Sequence, residues 1–148
     1  MGFRNDTPIN DINEYIKARA DNYFRRVVRT MKYIGELCVK QARNSDAKVK
    51  DFKDDTGNLR SSIGYVVVHN GSILYESAFP RVKKGNKGHE TGKDLAELLA
   101  AQSSGLCLIV VAGMEYAIYV KNKGYDVIDS AELVANKIIN QLLGKIKI

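Results

Sequence analysis

The residues that most often carry chemistry are scarce in this sequence. It has two histidines and two cysteines among 148 residues. A metal site needs several His, Cys or carboxylate groups converging at set spacings. No such spacing surrounds His69 or His89, so the expectation is neither a metal nor a cofactor. Cys38 and Cys107 both sit inside apolar runs, which reads as small core hydrophobes rather than a disulfide framework. Nucleophilic catalysis wants a Ser or Cys, a His base and a group that orients the base. No nucleophile-elbow pattern is present. Ser61, Ser62, Ser103 and Ser104 fall at turn-like or boundary positions, where Ser is common for conformational reasons. These absences point away from an enzyme.

Long apolar stretches are missing as well. Met1 to Asn10 is mostly polar and lacks the apolar core of a signal peptide. The longest apolar run, Leu106 to Ala112, falls far short of the roughly 20 residues that span a bilayer. The expectation is a soluble protein made in the cytoplasm, with no membrane partner. Without secretion, the Asn70-Gly71-Ser72 sequon has no meaning as a glycan site.

What remains is ordinary globular material. Hydrophobic residues make up 45% of the chain, and its length favours one domain, residues 1–148, with a core that needs no staples. The net charge is +6 and the isoelectric point about 9.3. That balance fits a polyanionic partner, and fits equally a solvated surface rich in lysine.

Residues 1–10 read as a flexible arm, with Pro8 holding it out of the first helix. From Asp11 to Asn44, Ile12, Ile16, Ala20, Tyr23, Val27, Met31, Ile34, Cys38 and Ala42 recur at steps of three and four, the spacing of one helical stripe. Asp11 with Glu14 resembles a capping box. Such a helix is about 50 Å long, more than a domain this size covers. Either part of its stripe meets another subunit, or a kink near Gly35 folds it back. Residues 45–55 are a charged loop, and Asp55-Thr56-Gly57-Asn58 offers a turn or a short helical start. Ile63–His69 and Ile73–Phe79 flank Asn70-Gly71, a strong hairpin signal. Pro80 ends the second strand. Arg81 to Gly92 reads as a mobile basic, Gly-rich loop. Thr91 with Asp94 then looks like a second capping box, opening a helix that carries Leu95, Leu98 and Leu99 and runs to about Ser103. Leu106–Ala112 reads as a central strand buried on both faces. Met114 to Lys121 suits a weakly alternating strand or a short helix. Asp129 and Glu132 open a last helix that stops at Gly144. The fold class is α+β: a long N-terminal helix, a small mostly antiparallel sheet of three to four strands, and two further helices packed on it.

The segment Gly85 to Asp94 fails as a phosphate loop. The pattern Gly, four residues, Gly-Lys-Ser/Thr would require Gly at Lys87 and Ser or Thr at Asp94. Arg81, Lys83, Lys84, Lys87 and Lys93 nevertheless stand close together against one acid, Glu90. They suit contact with phosphates or another partner without sequence readout. Aromatics to stack on bases are absent from the segment, which argues against a single-strand reader. A solvated surface loop explains the same charges.

Two segments resemble one family. Asp55-Thr56-Gly57-Asn58-Leu59-Arg60-Ser61-Ser62-Ile63 resembles the D-T-G-x-L-R-x-S-I lead into the first hairpin of tailed-bacteriophage head–tail joining and minor tail-completion proteins. Tyr116-Ala117-Ile118-Tyr119-Val120, followed by Gly124, is similar to their Y-A-x-Y-V-E-x-G segment. The similarity covers about residues 11 to 125, in the same order of elements. Lys121 stands where the family has Glu, the Gly comes one residue late, and a helix from Asp129 replaces a Pro-containing close. The resemblance implies a virion protein without catalytic activity. It would form a ring, hexameric or dodecameric, with connector, adaptor or tail-tube proteins as partners and phage DNA in the lumen. On that reading Thr56 and Gly57 shape the turn into Leu59 and Ile63, Arg60 projects outward, and Tyr116 and Tyr119 serve as core or interface anchors. A small basic nucleic-acid-binding module is the alternative function.

Overall fold

The computed structural model describes residues 2, 4, 6–43, 57–81, 83–114 and 128–146. Their elements are α1 (Ile9–Arg43), α2 (Asn58–Ser61), β1 (Ile63–His69), β2 (Ser72–Glu76), α3 (Asn86–Ala101), β3 (Leu106–Ala112) and α4 (Asp129–Leu143). Strands run in the order β2-β1-β3, all antiparallel. This is the expected α+β architecture. The expected loop at 45–55 and the strand or helix through Met114–Lys121 lie, apart from Met114, outside the described residues.

Helix α1 is continuous over 35 residues, about 52 Å, so no break at Gly35 folds it back. Gly35 serves another purpose: a Cβ there would overlap the Tyr65 ring of β1, and its absence lets the helix lie close on the sheet. The helix also starts earlier than expected. The Pro8 carbonyl accepts from the backbone N–H groups of Asp11 and Ile12. Asp11 therefore lies inside the first turn, where its charge suits the helix dipole, and is not the cap of a capping box.

β1 is the central strand, not β3. Its first six residues are buried, because successive side chains alternate between two cores. Ile63, Tyr65 and Val67 pack with Ile34, Cys38, Val39 and Ala42 of α1 and Ala131 of α4. Val66 and Val68 pack on the other face with Phe79, Ala96, Ala100 and Val111. β3 pairs only with β1 among the described residues, and only Val111 of it is fully buried. An unbroken apolar run fits either position, and burial depends on the neighbours the topology supplies.

The hairpin turn has Asn70 at φ 48° and Gly71 at φ 82°, the pair of positive angles that a two-residue turn of matching twist requires. β2 stops at Glu76, short of the expected Phe79, and carries one extra residue, Leu74, opposite Val67 and Val68. Ser77 still ties it to β1: its N–H donates to the Tyr65 carbonyl, and its Oγ accepts from the Tyr65 N–H.

α3 corrects the expected loop. It begins at Asn86, so the connection from β2 ends at Gly85 and the glycines at 88 and 92 are helical. Gly88, Gly92, Ala96 and Ala100 recur every four residues and are buried. A Cβ at Gly88 would overlap the Asn58 carbonyl, and one at Gly92 the Ser62 carbonyl. These glycines permit close backbone packing; they do not mark a turn. Thr91 is no cap either: its Oγ1 donates to the Lys87 carbonyl at 2.6 Å, within the helix. The Gly88 N–H, an orphan donor of the first turn, donates to Asn58 Oδ1 at 3.1 Å. α4 opens with Asp129 and Glu132 in its first turn, as expected.

Candidate functional site

The five basic residues singled out in the sequence do not form one group. Arg81, Lys83 and Lys84 are exposed on the connection into α3, and Lys87 is exposed in its first turn. Lys93 leaves the set: its Nζ lies 3.7 Å from Glu76 Oε1 on β2. No acid stands in the first turn of α3. A cation at that end opposes the helix dipole by about 0.3–1 kcal/mol, which a nearby anion would relieve.

The first family-like segment adopts a defined shape. Gly57 sits at φ 76°, in the left-handed region that favours glycine, and α2 follows directly. Leu59 and Ile63 are buried. Arg60 does not project freely; it is half-buried and engaged within the chain. Thr56, Tyr116, Ala117, Tyr119, Val120 and Gly124 lie outside the described residues.

The sparse titratable groups have structural employment. His89 Nδ1 donates to the Phe79 carbonyl, and His69 meets the Phe24 ring edge-on at 5.1 Å. The Cys38 thiol lies 3.4 Å from the Ala131 carbonyl, and burial pushes its pKa up, which disfavours the nucleophilic thiolate. Cys107 is only half-buried, with its Sγ 3.2 Å from the Ser104 carbonyl. Among the described residues no three His, Cys, Asp or Glu side chains are grouped so as to hold a metal ion. No helix among them is long and apolar enough to cross a membrane.

The first half of α1 stands uncovered by any described element. Residues 9–22 are exposed except for Ile12, and Tyr15 and Ile16 keep 64% and 58% of their surface in solvent. The apolar stripe that is buried at Ile34, Cys38 and Ala42 continues here with no described element over it. It borders a groove of about 640 Å³ between Tyr15, Ile16, Ala20, Tyr23, Val27 and Leu106 of β3. A second groove, about 330 Å³, is lined by Phe24, Val28 and Leu74 together with Arg25, Arg29 and Lys32. Lys32 Nζ sits 3.8 Å above the Tyr75 ring. Sequence reading missed this basic row. Its signal was the spacing of Arg25, Arg29 and Lys32 on the side of α1 away from the apolar stripe. Comparison with known proteins adds nothing to the geometry: no family model, no curated protein and no solved structure matches the chain.

Proposed function

We propose that this chain is a structural subunit of a tailed bacteriophage, one that self-associates into a ring joining head and tail or completing the tail. The observation that carries the reading is the uncovered half of α1. A helix segment of this length is marginal in water by itself, and its stability normally comes from packing of its apolar face. Burying each large side chain left in solvent there is worth about 1.5–3 kcal/mol. Contiguous apolar surface of this kind marks an interaction site. The resemblance supports the same reading, since the Gly57–Ile63 segment leads through α2 into a hairpin, as that family's segment does. In this reading the virion is the protein's destination, and connector or tail-tube proteins complete the ring.

The test is the mass in solution by light scattering across concentration, alone and with a connector or tail-tube protein. A closed ring in either condition supports the reading. A protomer in every condition overturns it. The exposed cations Arg81, Lys83, Lys84 and Lys87 favour a second reading, a monomeric nucleic-acid-binding module. It calls for measurable affinity for DNA or RNA that falls steeply with salt. If Arg81, Lys83 and Lys84 instead face DNA in a ring lumen, their replacement by Gln lowers DNA retention while leaving ring mass unchanged.

A further inference from the structure

Two charged rows lie on helices packed against opposite faces of the sheet. On α1, Asp21, Arg25, Arg29 and Lys32 follow at steps of four, four and three residues. On α3, Lys87, Glu90, Asp94 and Glu97 follow at steps of three, four and three. Both spacings keep a row on one side of its helix. The signs read minus, plus, plus, plus on α1 and plus, minus, minus, minus on α3. All eight are exposed except the half-buried Lys32. Among the described residues none of the eight has an ion-pair partner. Each row also has apolar surface at its side. The α1 row shares its groove with Phe24, Val28 and Leu74. On α3, Leu98 stands four residues after Asp94 and is 57% exposed.

We infer that α1 of one copy docks in parallel against α3 of the next, Asp21 to Lys87, Arg25 to Glu90, Arg29 to Asp94 and Lys32 to Glu97. Leu98 enters the groove beside Leu74. An antiparallel approach sets Asp21 against Glu97 and Lys32 against Lys87, so like charges oppose it at both ends. Complementary charge fixes register and rejects wrong partners more than it supplies affinity, and the leucines contribute the apolar burial. Because the rows lie on opposite faces of the sheet, each copy offers one row to each neighbour. The contact then repeats head to tail, the heterologous geometry that closes into rings. This inference rests on the self-association proposed above and names one contact of it, beside the uncovered apolar half of α1.

Charge reversal on either side tests it. Arg25→Glu with Arg29→Glu leaves two acidic rows on one chain, and Glu90→Lys with Asp94→Lys leaves two basic ones. Each variant alone is expected to stay a protomer, its self-association weakened on the order of a hundredfold. An equimolar mixture is expected to assemble again with the two variants alternating, which also shows that both are folded. Wild-type mass should fall in 1 M salt, where screening acts within about 3 Å. For orientation, Asp21→Cys and Lys87→Cys chains should cross-link on mixing, whereas Asp21→Cys and Glu97→Cys chains should not. Wild-type rings with both reversed variants assembling normally would overturn the pairing and leave the proposed function standing. So would variants that mixing does not rescue, or loss of DNA retention with unchanged assembly in the arginine variant. A wild type that stays a protomer with every partner overturns both.

Discussion

At the scale of single residues, glycine decides how closely the layers approach. Gly92 illustrates it. In an ordinary helix interior, Gly to Ala stabilises by roughly 0.5–1 kcal/mol. Here the added methyl meets the Ser62 backbone carbonyl, which no side-chain rotation relieves. Gly92→Ala should therefore destabilise by about 1–3 kcal/mol, read as a lower urea midpoint with unchanged slope. A stabilised variant would refute the packing account. The sequence alone placed these glycines in a loop, because composition cannot reveal a backbone arriving from thirty residues away.

Tyr65 gives a pH-dependent prediction. Its hydroxyl donates to Glu36 Oε1 at 2.8 Å. Burial first, and Glu36 second, raise the phenol far above its ordinary range. The native state thus keeps this proton while the unfolded chain releases it near pH 10. The stability gained is full below that value and drains away as pH rises through it. Buried Cys38 acts in the same direction from about pH 8.5. Tyr65→Phe should cost about 1 kcal/mol at neutral pH through the lost hydrogen bond. Its deficit should shrink above roughly pH 10, because phenylalanine has no proton to lose. Denaturation curves at neutral and alkaline pH check this; a constant deficit would count against it.

At the scale of elements, legibility followed periodicity. α1, the hairpin and α4 were readable because their apolar spacing and turn residues speak without reference to neighbours. The start of α3 and the place of β3 in the sheet were not, since both depend on contacts supplied by α2 and β1. α1 also shows where a stripe outruns its domain. Ile16 is 58% exposed and borders the larger groove. Ile16→Asp should change protomer stability by only about 0.5 kcal/mol, as exposed substitutions do, yet abolish assembly. Thermal melts and light scattering on the same preparation separate the two effects. Loss of fold would mean that this face packs within its own chain.

At the scale of the whole molecule, the uncovered helix and the packed layers answer to different demands. The cores gather around β1, and the first α1 residue packed against them is Val28. Among the described residues before Arg19, none contributes a side chain to either core, and a chain beginning at Arg19 should retain the fold. The denaturant slope tracks the surface exposed on unfolding, so it should barely change. Assembly adds a second, concentration-dependent layer of stability, because association that favours the folded state raises Tm with protein concentration. The full chain should show that rise, and the shortened chain, lacking Ile9, Tyr15 and Ile16, should show a flat Tm. A rise that survives the truncation would place the self-association on what the shortened chain keeps, the Asp21–Lys32 row of α1 included. A flat Tm in both would deny it altogether in the absence of a partner, leaving α1 to be tested against connector and tail-tube proteins alone.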